Sequence, residues 1–350
     1  MRAILLALCA ILLAACDPFS RPEPMLDEYV KRLGRVLDRE AVLTPVPAAP
    51  ALPRMRERVR EIPVISVSML DFLGLYGCEL QHVVGERNSS LGRVMHASNR
   101  LDYELRFLRA SDECLTGIRR EALGERIGEV TERKRDALGS VVWNAVWGTR
   151  EVEALLTRSK GPLPVSVDRN AVSELAADLR TMNQTFAVLL DGDVQVHVPA
   201  LDPVYQRWLS QAFVGQTIRS AVLLSTRLDD ASTLIESRLG GEPLCPRRLR
   251  TRSADNMHGL FVAVYASHVQ PYLAQVQRAR HDLIPSLTQL ARLDDGPHGA
   301  VFSRYAEAAL FEHGEHSEWR AFDASVARHT RAWQALLEQC GLAPGSLDEG

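Results

Sequence analysis

Apolar residues recur at three- and four-residue spacing along most of the chain, and that period admits helices far more readily than sheets. Leu26, Tyr29, Val30, Leu33, Val36 and Leu37 form the first such stripe, which buries one face of a helix and leaves the other in water. Leu101, Leu105 and Leu108, with Tyr103 and Phe107, carry a second stripe to Cys114. Ile127, Val130, Leu138, Val141, Val142, Ala145 and Val146 mark another long helix, with Trp143 and Trp147 one turn apart as an expected core pair. Later helices run from Asp168 or Asn170 through Leu189, and in one stretch from Asp202-Pro203 through Ile235. Between about Asp255 and Leu293, Pro271 and Pro285 predict kinks or breaks. The last pair turns near Gly314 and buries Trp319, Phe322, Trp333 and Leu336. The expected fold is mainly α, a multi-helix, bundle-like body. At most one small two-stranded β element decorates it, because Val194 to Val198 alternates like a strand and Val165-Ser166-Val167 could pair with it.

Residues 1–15 stand outside this pattern. Arg2 and the apolar run from Ala3 to Ala15 have the form of an export signal, and the run falls short of the roughly 20 residues that a spanning helix needs. Leu13-Ala14-Ala15-Cys16 fits the bacterial lipobox, so Cys16 is the expected lipidated N-terminus. Several acyl chains, at about 0.8 kcal/mol per buried methylene, would hold the protein firmly on a membrane. Asp17 in the next position resembles a signal for retention at the inner membrane, with the outer membrane as the other placement. The expected location is the envelope of a Gram-negative-type bacterium, lipid-anchored and facing the periplasm.

Prolines and glycines punctuate the rest. Residues 16–24 read as an extended tether, since prolines oppose helix. Residues 25–63 hold the N-terminal helix and a proline-rich linker, Thr44 to Pro53, expected to lie extended over the body. Gly161-Pro162-Leu163-Pro164 divides a first helical half, 64–160, from a second, 161–341, and 342–350 reads as a disordered tail. Ser68 with Asp71 three residues on makes a helix start. Once the signal carries off Cys9 and lipid occupies Cys16, Cys78, Cys114, Cys245 and Cys340 remain. An even number in an exported chain predicts two disulfides. Three connectivities are open, and Cys78–Cys114 with Cys245–Cys340 is favoured because each pair lies within one half. No CxxC or CxxH spacing supports a metal site instead.

The segment Leu70-Asp71-Phe72-Leu73, Cys78, then Glu86-Arg87-Asn88-Ser89-Ser90-Leu91-Gly92-Arg93-Val94-Met95 and Arg100 to Leu108 resembles domain of unknown function family 3080, lipoproteins of proteobacteria. The resemblance is strongest over residues 65–118. It implies an exported lipoprotein with Cys78 and Cys114 as family positions, and it brings no activity.

Charge and motifs narrow the function. Lys and Arg number 41 against 44 Asp and Glu, so no bulk electrostatic case exists for nucleic acid. The chain has no G-x-S-x-G elbow, P-loop, H-E-x-x-H or dinucleotide fingerprint. Glu312-His313-Gly314-Glu315-His316 offers His313 and His316 as weak metal ligands, although Gly314 favours a solvated turn. Glu86-Arg87-Asn88 beside Asp102 and Glu104 reads as caps and ion pairs, and His197 and His329 as core histidines. Asp191-Gly192-Asp193 lacks the other ligands of a calcium loop. Arg247, Arg248, Arg250 and Arg252 form a basic patch that could meet anionic headgroups or an acidic partner, with a solvated loop as the plainer reading. No cofactor is expected. The leading reading is a noncatalytic envelope protein that binds a partner or scaffolds one. An envelope hydrolase or metal-dependent enzyme with an unrecognised site, and a small-ligand-binding protein, stay open beside it.

Overall fold

Pro22 occupies the first position of helix α1 (Pro22–Leu37), where a missing N–H costs nothing and a fixed φ suits the helix. A computed structural model of the chain describes residues 17–64, 67–88 (without the Asn88 side chain), 95–246, 249, 251–293, 296 and 299–342. Cys16, Arg247, Arg248, Arg250 and residues 343–350 lie outside the described residues. From Asp17 onward the expected extended tether is helical instead. Asp17 caps a 3₁₀ turn, Pro18–Ser20, by accepting the Phe19 N–H at 3.0 Å, and α1 begins one residue later. Both prolines start helical segments here, which is the one place in a helix that tolerates them. The linker behaves as its composition suggests. It runs extended over the body, with Thr44 donating to Asp230 and Ala49 O accepting from Arg158.

The remaining helices are α2 (Met69–Gly74), α3 (Glu79–Asn88), α4 (Ala97–Leu115), α5 (Glu121–Asp136), α6 (Leu138–Trp147), α7 (Arg150–Leu155) and α8 (Arg169–Leu190). They continue as α9 (Asp202–Ser210), α10 (Phe213–Leu239), α11 (Arg252–Leu260), a π-helix (Phe261–Val269), α12 (Gln270–Arg292), α13 (Ala300–Ala309) and α14 (Glu318–Gln339). Side-chain oxygens of Ser68, Thr149, Asp168, Thr251 and Ser317 cap five of them, each cap contributing about 1 kcal/mol. The single stretch expected from Asp202 through Ile235 breaks at Gln211, whose backbone is extended (φ −124°, ψ 113°). α9 packs along α7, and the break lays α10 on the chain that leaves α7. Gly215 touches the Leu156–Thr157 backbone there, where no Cβ fits. Neither Pro271 nor Pro285 breaks the helical run, since α11, the π-helix and α12 follow one another from Arg252 to Arg292, and Pro271 falls in the first turn after the π-helix.

No strand forms among the described residues. Residues 165–167 and 194–198 are turns and coil, and the Arg109 guanidinium takes the Val194 and Val196 carbonyls at 2.7 and 2.8 Å, which a ladder would have needed.

Two hydrophobic clusters result. The larger spans α1, one face of α4, α6 and everything from α7 to α14. Trp143 and Trp147 are buried in it with Phe302 edge-on to both, and their indole N–H groups donate to Arg58 O and Leu290 O. The packing also crosses the Gly161–Pro164 turn, where the Tyr272 hydroxyl donates to Leu163 O at 3.0 Å. The smaller cluster gathers Leu75, Leu80, Val83, Tyr103, Phe107 and Ile127 into a lobe made by α2 to α5. Cys78–Cys114 staples that lobe, and Cys245–Cys340 ties the chain after α10 to the end of α14. α1, α10 and α14 run parallel, with Asp27 on Arg227, Arg39 on Ser237, Ser325 on Asp229 and Arg328 on Glu236. All three point toward the Cys245–Cys340 end. No helix among the described residues is long and apolar enough to cross a membrane.

Candidate partner-binding surface

α2 is built inside out. Ser68 caps it, accepting the Asp71 N–H at 3.1 Å and donating to Asp71 Oδ2 at 2.6 Å. Asp71 points inward, where Arg126 of α5 binds its Oδ1 through Nε and Nη2 at 2.9 and 2.5 Å. Arg126 first, and Ser68 after it, hold the Asp71 carboxyl below the usual carboxylate range. Phe72 and Leu75 pack on the lobe. The outward side of this short stretch is therefore apolar: Met69, Leu70, Leu73 and Tyr76 are 71, 80, 59 and 89 % exposed, and Val64 before them 93 %. Single exposed apolar side chains need no explanation, but a cluster of this kind marks an interaction surface.

A cleft of about 440 Å³ opens beside this face. The Cys78–Cys114 disulfide and Leu123 line it, and Arg119, Arg120, Glu79 and Glu113 stand around it, all exposed. Gly77, at φ 86°, makes the turn between Tyr76 outside and Cys78 inside, a conformation that glycine takes without strain. Arg119 and Arg120 form no ion pair among the described residues. Apolar area, a cleft and two unpaired guanidiniums can together hold an apolar segment that carries a carboxylate.

The residues singled out from sequence fall elsewhere. Arg252 is exposed in the first turn of α11. His313 and His316 are exposed in the turn before α14, while neighbouring Glu312 pairs with Arg280 at 2.6 Å. Among the described residues no group of three His, Cys, Asp or Glu is placed to hold a metal ion. Glu86 pairs with Arg106, and Glu104 is buried between Lys134 and Arg100, each at 2.6 Å. His197 is not a core residue. With no strand to carry it inward it is exposed on a shallow cleft with Asp102, Arg109 and Asp202. His329 is in the core, 1 % exposed, and burial drives its pKa down to about 3. The Trp333 indole N–H donates to the Tyr29 oxygen at 2.8 Å, and that hydroxyl lies 2.7 Å from His329 Nε2, which accepts as the neutral ring.

The α2 surface is hard to find in sequence because Met69, Leu70, Phe72, Leu73, Leu75 and Tyr76 surround the helix with apolar groups. The Asp71–Arg126 pair decides which of them face water, and its members are 55 residues apart. The usable signal is a lone carboxylate in a short, otherwise apolar helix.

The model of the family described as Protein of unknown function (DUF3080) matches residues 26–344. The chain belongs to that family. No curated protein and no solved structure matches it.

Proposed function

We propose that this DUF3080 protein is a lipid-anchored lipoprotein of the bacterial envelope. It faces the periplasm and works without catalysis, by binding a partner protein at α2. The observation that carries the binding half is the inverted helix: its carboxylate is committed inward to Arg126 and its large apolar side chains stand in water. The partner segment that fits is apolar, to cover Leu70, Leu73 and Tyr76, and bears a carboxylate for Arg119 or Arg120. The anchoring half rests on the lipobox at Cys16. The two disulfides support an oxidising compartment.

Two measurements test this reading. A photoreactive residue at Leu70 of the full chain should give one discrete crosslinked envelope protein, and Leu73→Ser with Tyr76→Ser should abolish that band. An identical band from the same probe at Val301, on α13, would overturn the binding half. Cys16→Ala should leave an uncleaved or soluble species. If that variant still fractionates as a processed membrane protein, the anchor assignment fails.

A further inference from the structure

We infer that the π-helix, with Phe19 stacked against it, forms the face on which the body rests on the bilayer. The inference rests on the anchoring reading above and adds to it an orientation. It starts from the absence of slack. Asp17 follows Cys16 directly in sequence, its side chain and carbonyl are already bonded to Phe19 N and Ser20 Oγ, and α1 starts at Pro22. One peptide step, about 3.8 Å between Cα atoms, therefore separates a lipidated residue from the folded body. Phe19 fixes the place on that body, because its ring stacks on His268 at 4.2 Å and 21° and carries the Arg32 guanidinium 5.3 Å from its centroid.

The surface so placed is unusual for this chain. Among the described residues, the helices longer than one turn that contain no Asp, Glu, Lys or Arg are α6 and the π-helix, Phe-Val-Ala-Val-Tyr-Ala-Ser-His-Val. In α6 no residue is exposed, so its lack of charge is explained by the core. In the π-helix only Val264 and Val269 are buried, while Val262, Ala263 and Ser267 are exposed and Phe261, Tyr265 and Ala266 are partly so. The wider turn brings Val262 and Ser267 together, with Ser267 Oγ donating to Val262 O at 2.8 Å, so its hydroxyl is spent internally. The result is an uncharged, small-residue face beside the anchor, and π-turns are rare enough to mark function. An interfacial bilayer contact of this kind buries apolar atoms near headgroup depth while aromatic residues sit at its edge.

The test uses full-length protein purified from membranes and reconstituted in vesicles of phosphatidylethanolamine and phosphatidylglycerol. An environment-sensitive fluorophore is attached at Val262→Cys or, as the distal control, at the exposed Glu125→Cys on α5 of the lobe. Mass measurement of the N-terminal peptide accompanies each sample. The expected result is an acylated peptide, a blue shift at position 262, and loss of most of that fluorescence with doxyl-labelled lipids, none of it at 125. An acylated peptide with equal quenching at both positions overturns the orientation alone. A blue-shifted fluorophore at 262 that doxyl lipids do not quench puts protein, a second copy or a partner, on the face and also overturns it. An unacylated Cys16 removes the anchoring reading and the orientation with it.

Discussion

The body and the lobe differ in what surrounds their deepest polar groups and, more sharply, in what they turn toward water. One deep polar chain of the body is neutral: Trp333, Tyr29 and His329 hydrogen-bond in series inside a ring of aromatics that includes Phe261 and Tyr265. A buried pair of the lobe is ionic. Lys134 and Glu104 meet at 2.6 Å, 4 and 3 % exposed, with the ammonium over the Tyr103 and Phe107 rings. Asp71 with Arg126 repeats the theme nearer the surface. The body exposes large apolar side chains singly, such as Leu209 and Val301, whereas α2 of the lobe and the turn after it expose four together, Met69, Leu70, Leu73 and Tyr76. Both regions bury charge, since the body holds Arg227 on Asp230 and Arg58 on Glu153, so it is the clustered apolar surface that points to the lobe as the part shaped by binding and the body as its support.

The sharpest way to break this contrast is to cut the same kind of side chain from each region. Trp147→Ala removes a fully buried indole packed on Trp143 and Phe302 and should cost about 3–5 kcal/mol in denaturant unfolding. Leu70→Ser with Leu73→Ser should change stability by no more than about 0.5 kcal/mol each, as exposed sites do. A comparable loss from the α2 variant would mean that its apolar face is packed, and the contrast would collapse.

The next effect probes the ionic interior. Glu104→Leu leaves the Lys134 ammonium buried opposite no carboxylate, in a site where burial already lowers its pKa. Breaking one side of such a pair should cost about 3 kcal/mol, and Lys134→Met on the same background should restore most of it. A single substitution without cost would show that water reaches the ammonium and that the lobe interior is not closed.

How much of this was legible depends on the range of the interaction that decides each feature. The α1 stripe, the Trp143–Trp147 pair, the Ser68 and Ser317 caps and both cysteine pairings follow from local spacing or simple partition, and the structure has them. Other local readings gave way. Prolines at 18 and 22 start helical segments, at the first-turn positions that tolerate them, where a tether was expected. The Gln211 break has no glycine or proline to announce it. The alternation at Val194 to Val198 loses its ladder to Arg109. The α2 surface, beyond the lone Asp71, and the π-helix were not legible, since an apolar run states that residues avoid water in general and not which of them finally do. Tyr29 and His329, 300 residues apart, meet only in the fold.

The smallest effect is a pH dependence that belongs to the body alone. His329 stays neutral in the folded protein down to about pH 3, against an ordinary value of 6.5 in the unfolded chain. Between those values the unfolded chain binds a proton that the folded chain does not, so stability falls as pH falls, by up to about 1.4 kcal/mol per unit. The lobe's shifted carboxylates act lower. Asp71 and Glu86, held down by Arg126 and Arg106, lose their contribution only as pH drops below the ordinary carboxylate values of 3.8 and 4.5. Burial raises the Glu318 carboxyl of the body above 4.5, toward the interval from pH 6.5 to 5, so the histidine is isolated there by comparison with a His329 variant that keeps Glu318. His329→Gln keeps an acceptor for the Tyr29 hydroxyl and removes the titration, so its urea midpoint should change less across that interval than that of the unsubstituted protein. Parallel slopes in the two proteins would mean that the Tyr29–His329 contact is hydrated, and the body would lose the one dry, neutral polar chain that sets it beside the ionic Lys134–Glu104 pair of the lobe.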